Sequence, residues 1–163
     1  MRHYDLTALA RELGHSCARR NLMVATAESC TGGGVAEAIT RISGSSAWFD
    51  RAFVTYTNTA KIEMLGVSGI TLERHGAVSE EVAREMAQGA LAFSHADVSV
   101  AITGVAGPTG GTALKPVGLV YIAWGVRGGD IQPRRFNFSG GRDAVRNQSI
   151  AFSLQGLIEL TRS

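Results

Sequence analysis

The chain has 163 residues, 45% hydrophobic and 18% charged, with a formal net charge of +2. This is too apolar for a disordered chain, and the slight basic excess is too scattered for a nucleic-acid-binding face. The longest apolar runs, such as Val117 to Val126, are too short to cross a bilayer.

One domain of this size buries roughly 70% of the surface its unfolded chain exposes, so residues 1–163 are read as a single domain. The N-terminus opens Arg2, His3, Tyr4, Asp5 without a signal-peptide apolar core, and a soluble, cytoplasmic protein is expected. Cys17 and Cys30 make no disulfide framework and lack metal-ligand spacing. Buried free thiols are the plain reading. The mild positive charge suits a small anionic ligand.

In chain order, Leu6, Leu9, Ala10, Leu13 and Cys17 fall at helical spacing and predict an amphipathic helix over Asp5 to Arg20. Leu22 to Ala27 reads as a short strand. Glu28-Ser29-Cys30-Thr31-Gly32-Gly33-Gly34 is a glycine-rich turn, and Val35, Ala38, Ile39 and Ile42 then mark a helix. Such an arrangement puts free N–H groups at the C-terminal edge of a strand, where anions bind.

Gly44 to Lys61 holds a serine pair, Ser45 and Ser46, and then Ala52 to Tyr56, apolar or β-branched throughout and read as a strand buried on both faces. Asn58 is the expected N-cap of a short helix closed by Gly66, with Lys61 in its first turn. Ser68 to His75 predicts another short helix. Ser79 caps a longer one, with Glu80 and Glu81 in its first turn.

Val98 to Thr103 is a strand leading into a flexible loop, Gly104 to Gly111. Val117 to Val126 and Ile131 to Phe138 flank Arg127-Gly128-Gly129-Asp130, the pattern of an antiparallel hairpin. Arg142 to Thr161 forms the last helix. The alternation predicts an α/β fold, a three-layer α/β/α sandwich on a mixed sheet of about five strands containing one antiparallel hairpin.

Several chemistries are compatible with these residues. A Ser–Lys hydrolase needs an unprotonated lysine, and lowering its pKa from ~10.4 to roughly 7.5 costs about 4 kcal/mol. A helix N-terminus supplies ~0.3–1 kcal/mol, up to about 2 if partly buried, and desolvation must supply the remainder. Lys61 has the placement, and Tyr56 is near enough in sequence to relay a proton. The plain alternative is a serine cap, a packed tyrosine and a surface lysine.

Glu28 and Cys30 leave a Cys–Lys–Glu amidase open. No G-x-S-x-G elbow supports a Ser–His–Asp triad. The two glycine loops follow separate strands and can face each other across a crevice, with hydroxyls from Ser29, Thr31, Thr103 and Thr109. Arg142 and Arg146, one turn apart, could reach a phosphate.

Six motifs, in order, resemble one family. They are A-E-S-C-T-G-G (Ala27 to Gly33), G-S-S-A-W-F with F-V-T-Y-T-N-x-A-K (Gly44 to Lys61), H-G-A-V-S-E (His75 to Glu80), T-G-V-A-G-P-x-G-G (Thr103 to Gly111), K-P-V-G (Lys115 to Gly118) and F-S-G-x-R-D-A-V-R (Phe138 to Arg146). The chain is similar from Leu6 to Leu157 to the C-terminal domain of the CinA (competence/damage-inducible) proteins, whose stand-alone forms are nicotinamide-nucleotide amidases.

The resemblance implies hydrolysis of nicotinamide mononucleotide to nicotinic acid mononucleotide and ammonia, without metal or cofactor, in a homo-oligomer, expected to be a dimer. It implies a serine–lysine mechanism with a tyrosine nearby, carried here by Ser46, Lys61 and Tyr56. Substrate is expected on Glu28, Ser29, Thr31, Gly32 and Gly33 of the first loop, Thr103, Gly104 and Gly107 of the second, and Arg142. Ala52 stands where the family commonly has glycine, and Thr57 where it has serine. A pyrophosphatase activity is ascribed to the N-terminal domain of full-length CinA proteins, and these 163 residues are not expected to carry it. A non-catalytic nucleotide-binding module and a Cys30-dependent amidase are the competing readings.

Overall fold

A computed structural model describes residues 3–162. Five strands make one mixed sheet in the order β2-β1-β3-β4-β5: β1 Val24–Glu28, β2 Phe49–Val54, β3 Val98–Gly104, β4 Leu119–Val126 and β5 Ile131–Asn137. β1 pairs parallel with both β2 and β3, while β4 runs antiparallel to β3 and to β5. The β4–β5 hairpin falls where the Gly128-Gly129 turn placed it.

Among the described residues, six α-helices cover the two faces: α1 Leu6–Arg20, α2 Gly34–Thr40, α3 Asn58–Leu65, α4 Gly69–His75, α5 Glu80–Ala92 and α6 Arg142–Arg162. α1, α2 and α6 share one core, built around Leu13, Val35, Ile39, Val100, Ile122 and Leu154. α3, α4 and α5 cover the opposite face, where Leu65, Leu72 and Met86 meet the small side chains Ala25, Ala27, Ala101 and Ala123. The three-layer expectation therefore holds. No helix is long and apolar enough to cross a membrane among the described residues.

Several helix ends follow the sequence. Asp5 caps α1 by accepting from the Ala8 N–H, and Ser79 caps α5 by accepting from Val82. At α3 the cap is Thr57, whose hydroxyl accepts from the Ala60 N–H, and Asn58 is the first helical residue. Both types cap well, so local sequence does not decide between adjacent positions. α3 sits so close to α5 that a Cβ on Gly89 would lie 2.1 Å from the Leu65 carbonyl oxygen.

β2 departs from expectation. It ends at Val54, lies at the sheet edge, and buries only Phe53 fully. An edge strand has one free flank, so an apolar sequence there need not be covered on both faces.

The chain leaves β1 toward β2 on one flank and then crosses back to β3 on the other, making the C-terminal end of β1 a switch point between diverging connections. Crevices for ligands form at such points. Ser29 is the first residue beyond β1.

Candidate active site

Glu28, the last residue of β1, is fully buried and acts as an internal cap. Its carboxylate accepts from the Val35 and Ala36 N–H groups at 2.9 and 3.0 Å, from the Thr31 hydroxyl at 2.8 Å and from the Thr26 hydroxyl at 3.2 Å. A buried carboxylate requires such donors, and the start of α2 provides them. This ties the strand end to the helix start and fixes the turn that carries Ser29 and Cys30.

Lys61, on α3, heads the largest fully buried side chains, at 1% exposure. Its amine reaches beneath the end of β2, 2.9 Å from Ser29 Oγ, 2.9 Å from the Thr55 carbonyl oxygen and 3.4 Å from that of Tyr56. Lys61 is absent from the ion pairs formed within 4.0 Å among the described residues. Burial holds its pKa below the ordinary lysine range, outweighing the opposing influence of the Cys30 sulfur.

The amine donates to Ser29 Oγ and to the two carbonyl oxygens; once neutral, it can keep two N–H groups on the carbonyls and turn its lone pair to the Ser29 hydroxyl. Thr55 is itself fixed, since its N–H donates to the Glu28 carbonyl at 2.8 Å.

Ser29, Tyr56, Lys61, Thr103, Gly104, Gly107 and Arg142 all line one crevice of about 290 Å³ at this sheet edge, together with Cys30 and Thr109. Thr103 donates its hydroxyl to the Ala77 carbonyl, fixing the α4–α5 connection as another wall. Arg142 donates to the Gly107 carbonyl at 2.7 Å and to the Tyr56 phenol oxygen at 3.0 Å. The phenol thus bonds Arg142, while it is the Tyr56 backbone that meets Lys61.

Ser46 does not join this group. It is exposed in a 3-10 turn, Ser45–Ala47, that precedes β2. β2 pairs in parallel with β1, so Ser46 lies at the N-terminal edge of the sheet and Ser29 at the C-terminal edge. Six residues of strand put roughly 17 Å between those edges. The hydroxyl beside Lys61 belongs to Ser29.

The first glycine loop also divides differently from expectation. Glu28 and Thr31 are buried and bonded to each other. Gly32 and Gly33 line a separate hollow with Arg146, which donates to the Thr31 carbonyl. None of these four borders the crevice that holds Ser29. Cys30 does border it, but burial pushes its thiol up to about 12, far from the thiolate that a cysteine nucleophile requires.

Sequence reasoning placed Ser29 among substrate contacts, although its position directly after a central strand was a usable sign. It did not anticipate the Thr55 carbonyl, whose part depends on backbone direction alone.

Residues 6–161 match the family described as CinA C-terminal domain. The chain belongs to this family. A relative from Escherichia coli K12, the nicotinamide-nucleotide amidohydrolase PncC, is 54% identical over 94% of this chain and 93% of its own length. Its namesake from Pseudomonas putida is 51% identical over 95% of this chain and 96% of its own. A solved CinA-family structure, the competence/damage inducible protein CihA from Agrobacterium tumefaciens, superposes with a TM-score of 0.94 at 48% identity, covering 98% of both chains.

Proposed function

We propose that this protein is an amidohydrolase that converts nicotinamide mononucleotide to nicotinic acid mononucleotide and ammonia, with Ser29 as nucleophile and Lys61 as general base. The observation carrying the chemistry is the buried Lys61 amine 2.9 Å from Ser29 Oγ, without a carboxylate partner. The substrate assignment rests on the similarity to the PncC amidohydrolases.

In this mechanism Ser29 Oγ attacks the carboxamide carbon while its proton passes to the lone pair of Lys61. The resulting ammonium returns the proton to the amide nitrogen, and the C–N bond breaks to release ammonia and leave an ester on Ser29. Lys61, neutral again, deprotonates a water molecule that attacks the ester. Carboxylate product leaves and the serine regains its proton. Backbone N–H groups bordering the crevice would stabilise the tetrahedral oxyanion. Thr103, Gly104 and Gly107 form the opposite wall, and binding of the remote nucleotide there orients the amide.

Arg142 is the natural contact for an anionic group. Cys30 contributes a neutral thiol, and Glu28 holds the turn from within.

Incubating the purified protein with nicotinamide mononucleotide and measuring ammonia together with the acid product tests this reading. Tight binding without turnover would favour a non-catalytic nucleotide module instead.

A further inference from the structure

Among the described residues, no aspartate or glutamate lines the crevice around Ser29. Its two basic residues are Lys61, which must be neutral to act, and Arg142. Arg142 thus supplies the fixed positive charge of the site, and it is absent from the ion pairs among the described residues. Its recorded acceptors are both uncharged, a carbonyl on one arm and the Tyr56 phenol on the other.

We propose that the Tyr56 phenol is a placeholder on Arg142, displaced when a substrate brings a phosphate monoester. Arg142 thereby becomes the specificity-determining residue for nucleotide over nucleoside, and Tyr56 a positioning residue that occupies it meanwhile. This deepens the amidase reading above and rests on it for the identity of the amide.

The exchange is favourable on physical grounds. Tyr56 is 58% exposed, and Arg142 is also exposed, so a neutral phenol bond between them competes with water and contributes little. A phosphate adds the attraction of its negative charge for the guanidinium, which the neutral phenol lacks, and its oxygens can accept two guanidinium N–H groups side by side. The arm on Gly107 keeps the guanidinium oriented while the other arm changes partner. Arg142 is also the first residue of α6, whose positive end adds to the attraction. A nucleoside amide offers nothing to displace the phenol, and the Tyr56–Arg142 bridge stays closed over the crevice wall.

Titrating inorganic phosphate by phosphorus NMR line broadening tests the placeholder without any turnover. Tyr56→Phe removes the competitor and should tighten phosphate binding by about 3- to 10-fold. Arg142→Gln should abolish it, and Arg142→Lys should restore part of it, because the charge returns without the fork. In parallel, the ratio of kcat/KM for nicotinamide mononucleotide over nicotinamide riboside should fall about 10- to 100-fold in Arg142→Gln.

An unchanged ratio in Arg142→Gln, or weaker phosphate binding in Tyr56→Phe, overturns the proposal. If no form of the protein released ammonia from the nucleotide, the amidase reading would fail separately, and the phosphate titration would still decide the exchange at Arg142.

Discussion

Lys61 Nζ stands 2.9 Å from Ser29 Oγ although the two residues are 32 positions apart, one just past a central strand and the other on a helix beyond an edge strand. The backbone carbonyl of Thr55 lies between them in sequence and holds the amine at the same distance. The serine and lysine are thus registered to each other through β1–β2 pairing.

Ser29→Ala should reduce ammonia release from nicotinamide mononucleotide by at least ~10³-fold with the far-UV circular dichroism unchanged. Ser46→Ala should stay within about twofold of the parent, because its hydroxyl is at the opposite sheet edge. The reverse ranking would return the nucleophile to Ser46.

Activity should rise with pH through an ionisation below the ordinary lysine range, since only the neutral amine accepts the serine proton and burial lowers its pKa. Lys61→Arg should be inactive across the range, because a guanidinium stays protonated. A pH–rate profile of kcat/KM checks both, and a profile flat from pH 5 to ~10 contradicts the base assignment.

Stability should carry the same imprint. With a folded-state pKa depressed below the unfolded value, the unfolded chain binds the extra proton between the two, so Lys61 destabilises the fold progressively as pH falls through that window. In Lys61→Met this dependence disappears. The denaturation midpoint of Lys61→Met relative to the parent should therefore be highest at low pH and should decline as pH approaches ~10.4, measured by urea titration.

Glu28→Gln should cost on the order of 3 kcal/mol, because the amide NH2 replaces one carboxylate oxygen and sets its donors against either the Val35 or the Ala36 N–H group. Equilibrium urea unfolding gives the number. A loss below ~0.5 kcal/mol would show that the cap is dispensable.

Gly89→Ala drives a methyl into the Leu65 carbonyl and must push α3 away from α5. A stability loss of roughly 1–3 kcal/mol should accompany reduced activity, since the displaced helix also carries Lys61. Thermal melts and ammonia assays on the same preparation check the coupling.

The fold was largely legible in the sequence because its elements are locally punctuated. Gly66 and Gly76 stop α3 and α4, Ser79 opens α5, and Gly128-Gly129 turns the hairpin. Less legible was what depends on neighbours. The apolar run before Tyr56 does not announce that β2 is an edge, and strand order is a property of the crossover from β2 to β3.

The site shows the same division. Lys61 stands out from its apolar surroundings and its helix, and Arg142 from its place at a helix start. Which serine serves that lysine depends on strand direction. Because β1 and β2 run parallel, the residue after β1 and the residue before β2 finish at opposite ends, and motif spacing does not contain that fact. Glu28 misled for a related reason, since a carboxylate beside a glycine loop looks like a ligand contact until its four donors are in view.

Those four donors come from both sides of the turn that bears Ser29, so its coordinates are inherited from the interior. The Ser29 hydroxyl already lies within hydrogen-bond distance of the Lys61 amine. The loop from Gly104 to Gly110 lines the same crevice, and insertions there should alter which amides are accepted while leaving the Ser29–Lys61 spacing unchanged.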